Sequence, residues 1–258
     1  MISKKMGVML LASIAVLIIF GLLWLKPMAQ TLAYHNFADQ RSWFGIANAV
    51  NVLSNIPLAL VGIWGLFLLF MPGKVHFIDR RERWPWVGVA GGLILVALGS
   101  GYYHLTPDNA HLMWDRLPMT IVFMSFVTAL VDDRVSVNFG LWLWPVLLGI
   151  GIYSVLQWYF SEMNGAGDLR LYAAVQAYAI AVALIMLLLP SRYTRGKDLA
   201  LVVVFYGLAK LFEMYDRQIY LLDKNIISGH TLKHLAAALA GMWLLRMVWK
   251  RKVNTDIV

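Results

Sequence analysis

Apolar residues in this chain run in long blocks, and polar residues fall between them. Eight stretches approach the roughly 20 apolar residues that a membrane-crossing helix needs: Gly7–Leu25, Gly45–Met71, Pro85–Leu105, Leu112–Val131, Phe139–Phe160, Leu171–Pro190, Leu199–Tyr215 and Gly229–Val248. Strand-like alternation is not sustained, so a β-barrel is a poor fit. The pattern predicts an all-α polytopic membrane bundle, with a seven-helix core and one extra N-terminal transmembrane helix. Residues 1–30 read as an N-terminal anchor and 31–258 as a seven-transmembrane domain. The first stretch has a second reading, as a signal peptide: it opens on Lys4–Lys5, and Thr31-Leu32-Ala33 resembles a cleavage site. Its apolar run is longer than the usual 7–15 residues or so of such a peptide, which favours a retained anchor.

Composition supports lipid as the solvent. The chain is 60% hydrophobic and 14% charged, with mean hydropathy +0.68. Ordinary soluble domains are about 45–50% apolar and about 25% charged. Such hydrophobicity excludes a disordered chain, and the absence of cysteine excludes a disulfide scaffold. The formal charge is +8, but no basic, aromatic-laced soluble segment exists to bind nucleic acid. Alternate connections divide the charge unequally. Those on the side of the termini hold 14 of the 22 basic residues, including Lys74, Arg80, Arg81, Arg83, Arg192 and Arg251. The other side holds six, Arg116 among them. Positive residues concentrate on the cytoplasmic side, so both termini are expected there.

Ionisable groups within or beside spans are costly and point to function. His230 and His234 are four apart on a helix and share a face, as do Ser100 and His104. Asp115 follows the Thr106-Pro107-Asp108 turn, at the start of the next helix. The charge-derived topology puts all five at the outer ends of their segments. Three neutral imidazoles and an open fourth position are the usual catalytic zinc site. Zinc would acidify a water, Asp115 would serve as base and then acid, and Ser100 would steady the water or the oxyanion. A lipid amide is a fitting substrate.

Other polar residues read more plainly. His111 suits an interfacial role, and His35 and His76 fall in connections and read as solvated. Asp115 has a structural reading as a helix cap, and Ser100 as a small packing residue between two glycines. Lys210, Glu213, Asp216 and Lys233 read as an ion-pair network joining segments seven and eight. Asn48, Asn51, Ser54 and Asn55 read as helix–helix hydrogen-bonding groups, and Trp43, Trp84, Trp86, Trp158 and Trp249 as interfacial anchors.

At these positions the chain resembles the alkaline ceramidases, within the CREST superfamily that also includes the progestin and adiponectin receptors. The resemblance rests on Ser100-x3-His104, Asp115 eleven residues later, Trp114-Asp115-Arg116-Leu117-Pro118-Met119, His230-x3-His234 and Asn51-Val-Leu-Ser54-Asn55, and it spans roughly Asp39 to Arg246. It implies a seven-helix fold with zinc on His104, His230 and His234, Ser100 and Asp115 attending the water, and ceramide cleaved to a sphingoid base and a fatty acid. The acidic cluster that binds calcium in eukaryotic members has only Asp39 as counterpart between Tyr34 and Asn48, so calcium is not expected. Short loops and the N-terminal anchor look bacterial, which implies an inner-membrane protein with its metal site toward the periplasm. A bacterial setting also brings in other N-acyl lipids as substrates. Three further readings stay open: an intramembrane serine hydrolase using Ser100, haem ligation by the paired histidines, and a non-catalytic zinc-containing lipid receptor.

Overall fold

The computed structural model describes residues 3–256. They form helices α1 (Lys4–Trp24), α2 (Ala49–Leu53), α3 (Ile56–Phe70), α4 (Arg83–Leu105), α5 (Asn109–Arg134), α6 (Val137–Met163), α7 (Arg170–Leu187), α8 (Asp198–Met214), α9 (Asp216–Leu222) and α10 (Gly229–Lys250), with two short 3-10 turns and no named strand among the described residues. Six are long and apolar enough to cross a membrane: α1, α2 with α3, α4, α5, α6 and α7. α8 and α10 fall where the seventh and eighth apolar stretches lie.

Side chains set several helix starts by accepting an otherwise unsatisfied backbone N–H. Asp108 accepts from His111 N at 2.7 Å, Ser228 from Thr231 N at 3.1 Å, and Asp79 and Glu82 form a capping box ahead of α4. Asp115 is therefore not a cap. α5 begins at Asn109, and Asp115 lies nearly two turns in, buried.

The second apolar stretch is broken. α2 ends at Leu53 and α3 restarts at Ile56, with Pro57 in the first turn of α3. Proline has no N–H to continue the ladder and suits a helix start. The break turns Ser54 and Asn55 inward, both buried.

α3, α4, α5, α7, α8 and α10 line a partly open cavity of about 160 Å³ whose wall is apolar, Leu58, Val96, Met119, Ala179, Val202 and Ala237 among its residues. α6 lies outside the ring on α5 and α7, and α1 on α7. Arg170 holds the end of α1 through the Leu25 carbonyl at 2.6 Å. Leu169 N donates to the Met28 carbonyl at 2.9 Å.

The end with more basic residues carries its own buried polar layer. Arg192 pairs with Glu82 at 3.2 Å, Tyr193 donates to Glu82 at 2.5 Å, and Arg134 pairs with Asp133. Two tryptophans expected as interfacial anchors are core residues instead: Trp86 and Trp158 are 2% and 0% exposed. Both sit on faces turned toward neighbouring helices, and position along the span does not reveal that.

Candidate metal centre

The three histidines expected as ligands converge. His104, at the end of α4, and His230 and His234, on the first two turns of α10, are all buried, and each offers a ring nitrogen within 4.8 Å of the others. His104 Nε2 lies 3.3 Å from His234 Nε2 and 3.3 Å from His230 Nε2. A tetrahedral zinc with Zn–N of about 2.0–2.1 Å separates its ligand nitrogens by about 3.3–3.4 Å, so the spacing fits such an ion.

Protonation of His234 is oriented as a metal requires. Ser54 Oγ lies 2.7 Å from His234 Nδ1 and 2.9 Å from the Asn51 carbonyl. A carbonyl only accepts, so the hydroxyl proton goes to Asn51 and the oxygen accepts from Nδ1–H. The His234 Nε2 lone pair then faces the other two imidazoles, the usual outer-partner control of a metal-bound histidine. In the sequence Ser54 reads as a helix–helix hydrogen-bonding group within the Asn51–Asn55 motif, with no role toward a histidine. Its meeting with a histidine 180 residues later carries no local signal.

Close backbone approaches deliver Asp115 and His230. A Cβ on Gly99 would fall on the Trp114 carbonyl oxygen and 3.4 Å from Asp115 N. That carbonyl has no intrahelical donor, because residue 118, four later, is proline. α4 therefore packs directly on α5, which places Ser100 near Asp115, both buried. A Cβ on Gly229 would meet Asp216 Cα at 2.7 Å. In that tight junction Asp216 accepts from His230 N at 2.7 Å and from Ala38 N at 2.9 Å.

The segment before α2 roofs the histidines. Phe37, buried, has its ring centroid 4.6 Å from those of both His104 and His230. Asn48, in the left-handed backbone region at φ 47°, donates to the His104 carbonyl at 2.9 Å. Asp39 is held by Arg41 at 2.6 Å, so its carboxylate is already paired. His35, expected to be solvated, instead bridges Tyr103 OH at 2.9 Å and Asn109 Oδ1 at 3.0 Å, half-buried. Neither Phe37 nor Tyr103 stood out in the sequence.

The expected ion-pair network forms behind the histidines without Asp216, whose carboxylate takes backbone N–H groups instead. Glu213 binds Lys233 at 2.6 Å and Lys210 at 3.0 Å, and accepts from Tyr34 OH at 3.0 Å. His111 stays apart from the cluster, bonded to Asp108 at 2.7 Å. Among the described residues no hydrogen bond joins Ser100 to an imidazole.

The apolar cavity lies below this centre, one turn from His234 and two turns from His104. Leu58, Val96, Met119 and Ala237 line it, and Ser54, Ser100, Asp115 and Lys233 stand four residues from them toward the histidine end. Chemically, the arrangement offers three converging histidine nitrogens, a hydroxyl one turn from His104, a buried carboxylate on the facing helix and an apolar cavity below.

A family model described as ceramidase matches residues 42–250, from just before α2 to the end of α10. Comparison with curated proteins returns no match.

Proposed function

The chain belongs to the ceramidase family, and from that premise we propose that it is a zinc-dependent intramembrane amide hydrolase. Its substrate is ceramide or a related N-acyl lipid, cleaved to a fatty acid and a sphingoid base or amine. The observation that carries the reading is the juxtaposition of three buried histidine nitrogens with an apolar cavity whose lining begins about one turn from His234 and two turns from His104.

His104, His230 and His234 would hold the zinc. Zinc supplies a Lewis acid and lowers the pKa of a bound water. Asp115 takes the proton of the attacking water on its carboxylate and returns it to the leaving amine nitrogen, so that the amine departs neutral. Ser100, beside that carboxylate, orients the acid and donates toward the developing oxyanion. The cavity takes the acyl chain, whose burial is worth about 0.8 kcal/mol per methylene. Phe37 and the loop around it exclude water from above.

In this reading residues 1–30 are an anchor and 31–258 the hydrolase domain. α8 and α10 complete a seven-helix core. The protein lies in a bacterial inner membrane with both termini cytoplasmic, where 14 of 22 basic residues lie, and the histidines face the periplasm.

Metal analysis combined with a screen of N-acyl lipids tests the assignment. His104→Ala should lose both zinc and turnover. Asp115→Asn should keep zinc and lose turnover by about 10²–10⁴-fold. Full turnover by metal-free protein would overturn the reading. A tightly bound lipid that is never cleaved would identify a receptor instead.

A further inference from the structure

Arg116 follows Asp115 on α5 but points elsewhere, and the proposed reaction does not use it. It was counted among the charges of an outer connection; the structure buries it, 6% exposed. Its guanidinium carbon lies 4.1 Å from the ring centroid of Trp158, 4.9 Å from that of Tyr172 and 5.7 Å from that of Tyr34. Nη2 donates to Gln30 Oε1 at 2.6 Å. Nη1 is buried with no hydrogen-bond partner.

Among the described residues Arg116 forms no ion pair within 4.0 Å, whereas the neighbouring Lys233 is paired with Glu213. The acid nearest in the hydrogen-bond network, Glu162, is engaged by Gln30 N at 2.5 Å and Trp158 Nε1 at 3.1 Å. A buried guanidinium without a direct ion-pair partner is destabilising, and aromatic faces offset only part of that. The site therefore holds a cation with no direct ion-pair partner and an N–H group left without an acceptor, the combination that receives a carboxylate.

The cage adjoins the metal centre. Trp158 and Tyr172 belong to the same packed cluster as Phe37 and Tyr103, and Phe37 lies on His104 and His230. Tyr34 links the cage to Glu213 and so to Lys233. The cage is built from the outer ends of α6 and α7 and the segment before α2, whereas the apolar cavity lies inward of the histidines. An amide at the histidines with its acyl chain in the cavity would direct its amine portion toward the cage.

Resting on the amidase reading above, we infer that Arg116 binds a carboxylate carried by the amine portion of the substrate, so that the preferred substrates are N-acyl lipids with an acidic headgroup. The same chemistry is offered by the carboxylate of the fatty-acid product, and the experiment separates the two sources.

The test uses the full-length, zinc-loaded protein in detergent with three probes of one chain length: N-oleoylglycine, its neutral counterpart N-oleoylethanolamine, and oleate. Binding is read from thermal shifts and turnover from released glycine or ethanolamine. Wild type should favour N-oleoylglycine over the ethanolamide by at least tenfold in both affinity and kcat/KM. Arg116→Gln should bring that ratio close to one, and Arg116→Lys should leave it in between. Equal handling of the two amides by wild type overturns the inference, whether or not the variants fold. So does an unchanged ratio in Arg116→Gln. Arg116-dependent binding of oleate without such dependence for N-oleoylglycine assigns the cage to the product and also overturns it. If neither amide is cleaved, the amidase reading fails, while the binding ratio still decides the role of Arg116.

Discussion

Replacing Ser54 with alanine tests whether the histidine cluster is held in a metal-ready protonation state. Ser54 Oγ is the partner of His234 Nδ1 at 2.7 Å, and His234 is 3% exposed. Alanine leaves a buried N–H with nothing to receive it. That costs about 1–3 kcal/mol, which corresponds to about 5–150-fold in an equilibrium constant. The imidazole can escape the cost only by turning or by moving its proton to Nε2, and either change removes a lone pair from the cluster. Zinc affinity should therefore fall about 10–100-fold, the usual effect of losing an outer partner of a metal-bound histidine. Ser54→Thr keeps the hydroxyl and should retain most of the affinity. The assay is competition for zinc against a chromophoric chelator, with melting temperature followed in parallel. Wild-type zinc affinity in Ser54→Ala would refute the reasoning, as would equal losses in the alanine and threonine variants.

Gly99→Ala places a methyl group on the Trp114 carbonyl oxygen; overpacking of this kind costs about 1–3 kcal/mol. Denaturant unfolding should show that loss, and turnover should fall further, because the displaced helix carries Asp115. Glu213→Gln leaves Lys233 without its counter-charge; breaking a buried pair costs about 3–5 kcal/mol, and the lower end is expected because the side chains are 17% and 18% exposed. Denaturant unfolding reads this as well. At the opposite end, the Arg81 guanidinium and backbone N–H hold the Asp79 carboxyl down from 3.8 to about 2. A depressed value means that the group's contribution to stability is present above its ordinary pKa and is lost as pH falls toward 2. Melting temperature followed from pH 5 to pH 2 should therefore decline less steeply in Asp79→Asn than in wild type.

Much of the site was legible in the chain. Four-residue spacing placed His230 with His234 and Ser100 with His104 on shared faces. The distribution of basic residues put Asp115 at the same end; the three histidines meet there, with Ser100 and Asp115 buried on the same ends of α4 and α5. Asp115 as a helix cap did not survive, since Asp108 takes that role. His35 read as solvated because it lies in a connection, yet the connection folds down onto Tyr103.

Hydrophobic block length and helical periodicity are properties of neighbouring residues, so the sequence alone determined the helices and the end of the bundle where the histidines gather. Which residues meet across helices depends on rotation about each axis, on local breaks and on close approaches, and only the tertiary structure decided those. The α2–α3 break aims Ser54 at His234, Gly99 brings α4 onto the carbonyl that Pro118 leaves free, and Arg116 turns inward to three aromatic rings. Each of these contacts joins residues far apart in the chain, where no local pattern can register the pairing.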